Sequence, residues 1–249
     1  MSIVSSGERD NIDRTMKAGA FRRSLRITGA PGRTRGEMED DFHHFALTIV
    51  HDGEVVLSVE VETIRIPWVT CEFASRVFED LVGQRLDAVR LADERRQAGC
   101  THLYDLAILV AAHALRGTAR IEMRMEVATS PLGGEVARLV RDGELVLDWR
   151  VDAGVILEGP LAGIRLEELG ARVRGRMAPE DYEAATALRR AIRIAGGRRV
   201  DKDKVATVAE ISEGLRPTCY TLLPENRARA ARIRGATIDF SAGRRWPLE

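Results

Sequence analysis

Alternating apolar and polar positions predict β-strands in the first part of the chain. Two β-rich runs flank Asp52-Gly53, a dipeptide whose backbone freedom favours the tight turn of a β-hairpin. An earlier run ends at the turn-forming stretch 29–32, and the second hairpin strand stops at Pro67. The pattern therefore predicts a strand at 21–27 and a hairpin of 43–50 and 54–61, the latter continuing to 66.

Apolar residues spaced three and four apart predict two helices after this hairpin. Thr70 is placed to cap a helix of about Cys71–Val82, which Gly83 would end. Thr101 is placed to cap the most apolar helix, 102–115. The buried stripe expected for this second helix comprises Leu103, Leu106, Ala107, Val110, Ala111 and Ala114.

The second half repeats the alternation and then turns helical. Strands are predicted at 119–127, 136–140 and 144–151, and Asp142-Gly143 joins the last two as a second hairpin. Helices are predicted at 166–176, 180–194 and 226–234. The fold class is α+β: an antiparallel sheet with two Asp-Gly hairpins and helices packed on one face. We expect a mobile N-terminus, 1–20, and a single compact domain, 21–249, with halves 21–117 and 118–249.

Composition and charge narrow the possible functions. The 249 residues carry 38 basic and 38 acidic side chains, so the electrostatic signature of a nucleic-acid binder is missing. No apolar run reaches the roughly 18–20 residues of a membrane helix. Three cysteines are too few for a disulfide framework, and no apolar leader follows the start, so we expect a cytoplasmic protein. Exposed strand edges would allow a homodimer.

Common catalytic motifs are absent from the sequence. It has no phosphate-binding loop, dinucleotide fingerprint, serine-hydrolase elbow, zinc-protease motif or CxxC pair. Three short clusters at the ends of predicted elements remain as candidates for chemistry: 40–44 (DDFHH), 65–71 (RIPWVTC) and 99–105 (GCTHLYD).

Each cluster has a chemical interpretation. Helix N-termini lower the pKa of a thiol, so Cys71 and Cys100 could be more acidic than free cysteine, but the favoured interpretation is that they are small buried fillers at helix starts. His102 and Asp105 share a helical face, where the carboxylate could fix the imidazole tautomer. Because His43 and His44 are adjacent in a strand, only one can face inward, and we favour His44.

Four stretches together resemble a bacterial family known as a domain of unknown function. The resemblance implies a family but no activity, and it extends to 189–191 and 235–241. The stretches are 39–45 (EDDFHHF), 65–71 (RIPWVTC), 100–106 (CTHLYDL) and 219–224 (CYTLLP).

The first half is also similar to NifU-type iron–sulfur scaffolds and to SufE. That resemblance implies a NifU/SufE-like first half, with a pocket whose corresponding positions are His44, Cys71, and Cys100 with His102. This sequence departs from the scaffold because His44 stands where a cysteine is usual, and because a large second half is added.

These observations lead to a primary hypothesis. It is an enzyme of aromatic catabolism: an acid–base lyase, either without a cofactor or assisted by zinc or iron, such as a retro-aldol lyase that releases formaldehyde from a small phenolic substrate. A histidine would remove a hydroxyl proton, since imidazole changes charge near neutral pH. The candidate catalytic residues are His44, His102, Cys100, Asp105 and Tyr104, and the candidate substrate-binding residues are Arg65, Trp68, Cys71 and Tyr220.

Two alternatives stay open. The first is a metal-binding or sulfur-transfer module, in which His44, Cys71, Cys100 and His102 would hold zinc or iron. The second is a domain that only binds a partner.

Overall fold

The computed structural model describes residues 19–211, 216–243 and 245–249. The predicted mobile segment 1–20 lies outside these ranges except for its last two positions. The fold is α+β, as predicted, with an eight-stranded antiparallel sheet in the order β4-β3-β2-β1-β5-β6-β7-β8. The strands are β1 Phe21–Ala30, β2 Arg33–Asp40, β3 His44–His51, β4 Val56–Arg65, β5 Arg120–Thr129, β6 Glu135–Arg141, β7 Glu144–Asp152 and β8 Val155–Ile156.

Helical segments follow and interrupt the strands. The described α-helices are α1 Asp93–Gln97, α2 Thr101–Leu115, α3 Leu169–Val173, α4 Pro179–Ala195 and α5 Pro224–Arg227. The helix predicted at 71–82 is a 3-10 helix, Val69–Leu81, and shorter 3-10 turns include Gly196–Arg199 and Tyr220–Leu222. None of the described helices combines the length and apolar character needed to cross a lipid bilayer.

The chain divides into two compact units, which we describe separately. The histidine unit comprises Leu25–Ile121 and Val200–Ile238, and the cavity unit comprises 19–24, 122–199 and the described residues of 239–249. Strands β1 and β5 each contribute residues to both units. The predicted single domain, with halves meeting at 117 and 118, stays a prediction.

In the histidine unit, β2, β3 and β4 form a three-stranded meander. Residue Glu39 of β2 pairs with His44, and His44 pairs in turn with Arg65 of β4. Strand β2 was missed by the sequence analysis, because its inward positions, Thr34 and Gly36, are polar or small and give no apolar alternation. Buried and more exposed residues nevertheless alternate along the first six positions of this strand.

Helix α2 packs against β2 and β3 through the predicted apolar stripe, which includes the buried Leu103, Leu106 and Val110. Gly36 sets how closely the helix approaches the sheet. A Cβ at this position would lie 2.5 Å from Val110 Cγ2 and 2.8 Å from Leu106 Cδ1. The missing side chain therefore makes room for the helix that carries His102.

In the cavity unit, β5, β6, β7 and β8 form a second meander, and α4 packs on β6 and β7. The turn between β6 and β7 uses Asp142 and Gly143, both at positive φ, as expected for an Asp-Gly hairpin. The C-terminal segment is held by buried Phe240 and Trp246, and Arg22 binds the Phe240 carbonyl while its guanidinium lies over the Trp246 ring.

Two helices are shorter than predicted. The predicted helix 166–176 is reduced to α3, and 226–234 is reduced to the four-residue α5. Both segments are rich in arginine, which favours a helix in isolation, but each has few apolar positions for packing. Burial, rather than propensity, decides the length of a helix in a protein.

We expect Gly36→Ala to destabilise the histidine unit by about 1–3 kcal/mol, because the new methyl group overlaps the side chains of α2. Chemical unfolding monitored by circular dichroism measures the change. Gly196→Ala is the matched control, since Gly196 has negative φ and no atom within 4 Å of its would-be Cβ. Equal stability of the Gly36→Ala variant and the wild type would show that α2 is not held this closely.

Candidate functional site

The connection between β2 and β3 is a tight turn built around the Asp40 side chain. Asp40 N donates to the His43 carbonyl at 2.8 Å, which closes the turn. The Asp40 Oδ1 accepts the backbone N–H groups of Phe42 and His43, both at 2.8 Å, and the carboxyl group is fully buried. Three residues of chain therefore suffice to reverse direction and to fix one carboxylate.

This carboxylate also orients the His43 imidazole. Asp40 Oδ1 lies 3.1 Å from His43 Nδ1. Because Oδ1 already accepts two backbone N–H groups, it is an acceptor here as well, so the Nδ1 of His43 carries the hydrogen. In the neutral ring, the lone pair is then at Nε2, where a proton or a metal ion can be received.

The His102 imidazole, from the first turn of α2, lies against His43. The two ring centroids are 4.2 Å apart, and the ring of Phe45 is 5.8 Å from that of His43 and 6.3 Å from that of His102. Cys100 Sγ is 3.7 Å from His102 Nδ1. Burial raises the pKa of the Cys100 thiol, so the thiol keeps its hydrogen and can donate it to Nδ1. When the thiol is the donor, the hydrogen of neutral His102 is at Nε2, which is a buried atom.

Arg65, at the end of β4, forms hydrogen bonds to the turn. Its guanidinium donates to the carbonyl groups of Asp40 at 2.6 Å and Asp41 at 3.2 Å, and it pairs with Glu39 at 3.1 Å. It also donates to the Ala236 carbonyl at 2.7 Å. These donors are directed at the protein's own carbonyl groups and at Glu39, so Arg65 positions the turn. Its predicted role in substrate binding stays a prediction.

Three residues of this site could also hold a metal ion. One ligand atom each of Asp40, His43 and His102 lie within 4.8 Å of one another. Carboxylate and imidazole donors suit zinc or ferrous iron. The chemistry of the donors therefore fits such an ion.

The structure differs from the preference for His44 as the inward histidine. His44 Nε2 lies 2.7 Å from Glu37 Oε1, and His44 Nδ1 is 3.6 Å from Glu39 Oε1. It is His43 that meets His102. His43 precedes β3 and belongs to the turn, so the strict alternation of a strand, on which the preference rested, does not apply to it.

The three cysteines, far apart in sequence, have neighbouring backbones. Cys71 Sγ lies 3.4 Å from Thr221 Oγ1, close to Cys219, and Cys100 N donates to the Ala74 carbonyl. The direction of the pKa shifts contradicts the alternative of acidic thiols. Burial raises the pKa of Cys71 to about 12, against a weaker opposing effect of the Thr221 hydroxyl, and it raises the pKa of Cys219 as well. Loss of solvent outweighs the helix N-terminus here.

The other predicted residues lie around this centre in different surroundings. Trp68 is buried in a small core with Val208 and Ala230, under the guanidinium of Arg232. Tyr104 and Asp105 are half-buried on α2, three and four positions after its first residue. Tyr220 is half-buried, and Arg229 donates to its hydroxyl at 2.6 Å. The structure thus brings His102 and Cys100 together but gives Trp68 a core position.

Sequence reasoning missed the roles of Asp40 and His43. Both lie in the first candidate cluster, but only a known turn makes a carboxylate and an imidazole three positions apart face each other. The signal available was an Asp placed to bond backbone N–H groups two and three residues later, which is typical of such turns.

Part of the chain that contains the site matches a known family model. Residues 26–116 match the model of the family described as "Protein of unknown function (DUF2889)". Residues 26–116 are thus similar to this family, which confirms the predicted resemblance to a domain-of-unknown-function family. The match includes Asp40, His43, Cys100 and His102, but not 219–224. No curated protein matches the chain.

We expect Arg65→Gln to lower the free energy of unfolding by about 2–4 kcal/mol, because several carbonyl groups of the turn lose their donor. Arg33→Gln is the control, since the Arg33–Glu60 pair is half-exposed and such pairs contribute about 0–1 kcal/mol. Urea unfolding of both variants measures the difference. Equal losses in the two variants would contradict a positioning role for Arg65.

Proposed function

We propose that the histidine unit is an acid–base catalyst, in which His43 is the base and His102 the acid. The observation that supports this proposal is the adjacency of two imidazoles with different partners. The Asp40 carboxylate accepts a hydrogen from His43, whereas the Cys100 thiol can donate one to His102. One ring therefore offers a lone pair at Nε2, and its neighbour offers a hydrogen at Nε2.

The reaction that fits this pair is a retro-aldol lyase step. His43 Nε2 removes the proton of a substrate hydroxymethyl group, the adjacent C–C bond breaks, and formaldehyde leaves. The electron pair of that bond goes to the remaining carbon, which takes a proton from His102 Nε2, and the proton held by His43 then passes to His102, so that both rings return to the neutral form. One proton is taken and one is returned, so the products are formaldehyde and the shortened substrate. The Asp40 carboxylate stabilises the imidazolium that forms on His43.

The proposed substrate is a small phenolic compound of aromatic catabolism. Support comes from a cationic aromatic surface in the same unit, in which the rings of Phe73 and Tyr220 lie 6.4 Å apart. Arg76 lies over the Phe73 ring at 4.9 Å, and Arg229 lies over the Tyr220 ring at 5.7 Å. Aromatic faces with guanidinium groups favour a planar anion such as a phenolate.

We expect His43→Gln and His102→Gln each to reduce turnover by at least about 100-fold, as is usual for the loss of a general acid or base. The assay is a panel of phenolic compounds with a hydroxymethyl side chain, with formaldehyde and product masses as the readout. His51→Gln is the control, because His51 bonds Thr34 and Gly53 at the other end of β3.

His44→Gln distinguishes the two adjacent histidines. A large loss in His44→Gln, together with full activity in His43→Gln, would contradict the proposed base and restore the residue favoured from the sequence. Circular dichroism of each variant verifies that the fold is retained.

A second candidate function is a metal-binding module, favoured by the ligand atoms of Asp40, His43 and His102 within 4.8 Å. In this role the three side chains would hold the ion. The alternative set predicted from the NifU/SufE resemblance, His44, Cys71, Cys100 and His102, requires Cys71 and Cys100 to lose protons that burial holds in place.

Elemental analysis of protein purified without chelator tests this second function. Stoichiometric zinc or iron that is lost in Asp40→Asn and His43→Gln would identify the triad as the metal site. Loss in Cys71→Ser and Cys100→Ser, with metal retained in His43→Gln, would instead identify the thiol set. Metal-free protein that is active on the phenolic panel would contradict the second candidate.

A further inference from the structure

The cavity unit contains a concave site that the proposed function does not use. Its volume of about 890 Å³ falls within the range typical of small-molecule sites. The ends of β5 and β7, the start of β6 and the segment that follows α4 form its walls. Buried apolar side chains line part of it, namely Phe21, Val127, Val151 and Ala195.

Two arginines and two carboxylates line the same cavity: Glu135, Asp152, Arg198 and Arg199. The Arg198 guanidinium is fixed in place, because it pairs with Asp239 at 3.0 Å and Asp239 in turn accepts the Ser241 hydroxyl at 2.6 Å. Arg199 is 78% exposed and reaches Glu135 Oε1 at 3.3 Å, which is a long ion pair. The cavity thus has one fixed cation and one cation that can be redirected.

The cost of burying the Glu135 carboxylate is only partly offset by a nearby positive charge. Burial raises its pKa, and the Arg199 guanidinium opposes this effect only in part. A cationic group of a ligand would place a second positive charge beside Glu135. If Arg199 then turned from Glu135 towards an anionic group of the same ligand, both side chains would be paired.

We propose that this cavity binds a small zwitterion, namely a free α-amino acid with an apolar side chain. Its ammonium group would contact Glu135 and Asp152, and its carboxylate would contact Arg198 and Arg199. Its side chain would lie on Phe21, Val127, Val151 and Ala195. The four charged side chains sum to zero, which matches a ligand without net charge. This site is independent of the proposed lyase function.

Calorimetric titration of the full chain tests the proposal with matched probes. L-leucine carries both charges, 3-methylbutylamine lacks the carboxylate, and 4-methylpentanoate lacks the ammonium group. We expect saturable binding of leucine, phenylalanine or methionine, and at least about tenfold weaker binding of both leucine analogues, as for loss of one charged contact. An amine or acid that binds as tightly as leucine would overturn the proposal, as would no saturable binding of any of the three amino acids.

Two variants test the assigned contacts. Glu135→Gln and Arg199→Gln are each expected to weaken binding of the bound amino acid about tenfold. Arg172→Gln is the control, because Arg172 is 65% exposed on α3, pairs with Glu168 and does not line the cavity. Unchanged affinity in both cavity variants, with unchanged melting temperatures, would overturn the assignment.

Discussion

The guanidinium of Arg65 is the interaction on which the geometry of the histidine site depends. Arg65 donates to the carbonyl groups of Asp40 and Asp41, where β2 turns towards β3, and to that of Ala236. With these carbonyl groups satisfied, the turn can stay tight and its carboxylate can stay buried. The position of His43 follows, because its backbone and ring both bond Asp40.

The second imidazole reaches the same place by a different route. His102 begins a long apolar helix that approaches β2 closely over Gly36. The two rings therefore come from a strand turn and a helix start, and each brings its own hydrogen-bond partner. That difference in partners, rather than the rings themselves, is what allows neighbouring histidines to hold their hydrogens at different nitrogens.

The sequence predicted the hairpins, the apolar helix and the α+β class, because these follow from regular spacing of apolar residues. Strand β2 could not be found this way, since Gly36 and Thr34 face inward. For the candidate site, the sequence indicated only the three short clusters that contain its residues. Choosing His43 requires knowing that it belongs to the turn rather than to β3, and the raised pKa of Cys71 requires knowing its burial. Each depends on tertiary contacts that no local pattern contains.

The division of the site between the β2–β3 turn and the start of α2 has a consequence for how such a domain can diversify. The turn is fixed by two side chains, the Asp40 carboxylate and the Arg65 guanidinium, whereas His102 has its own partner, Cys100, at the start of α2. Substitution of Cys100 would therefore change the partner of His102 and leave the bond between Asp40 and His43 in place. The two imidazoles are held by separate sets of side chains, so the surroundings of one can change without those of the other.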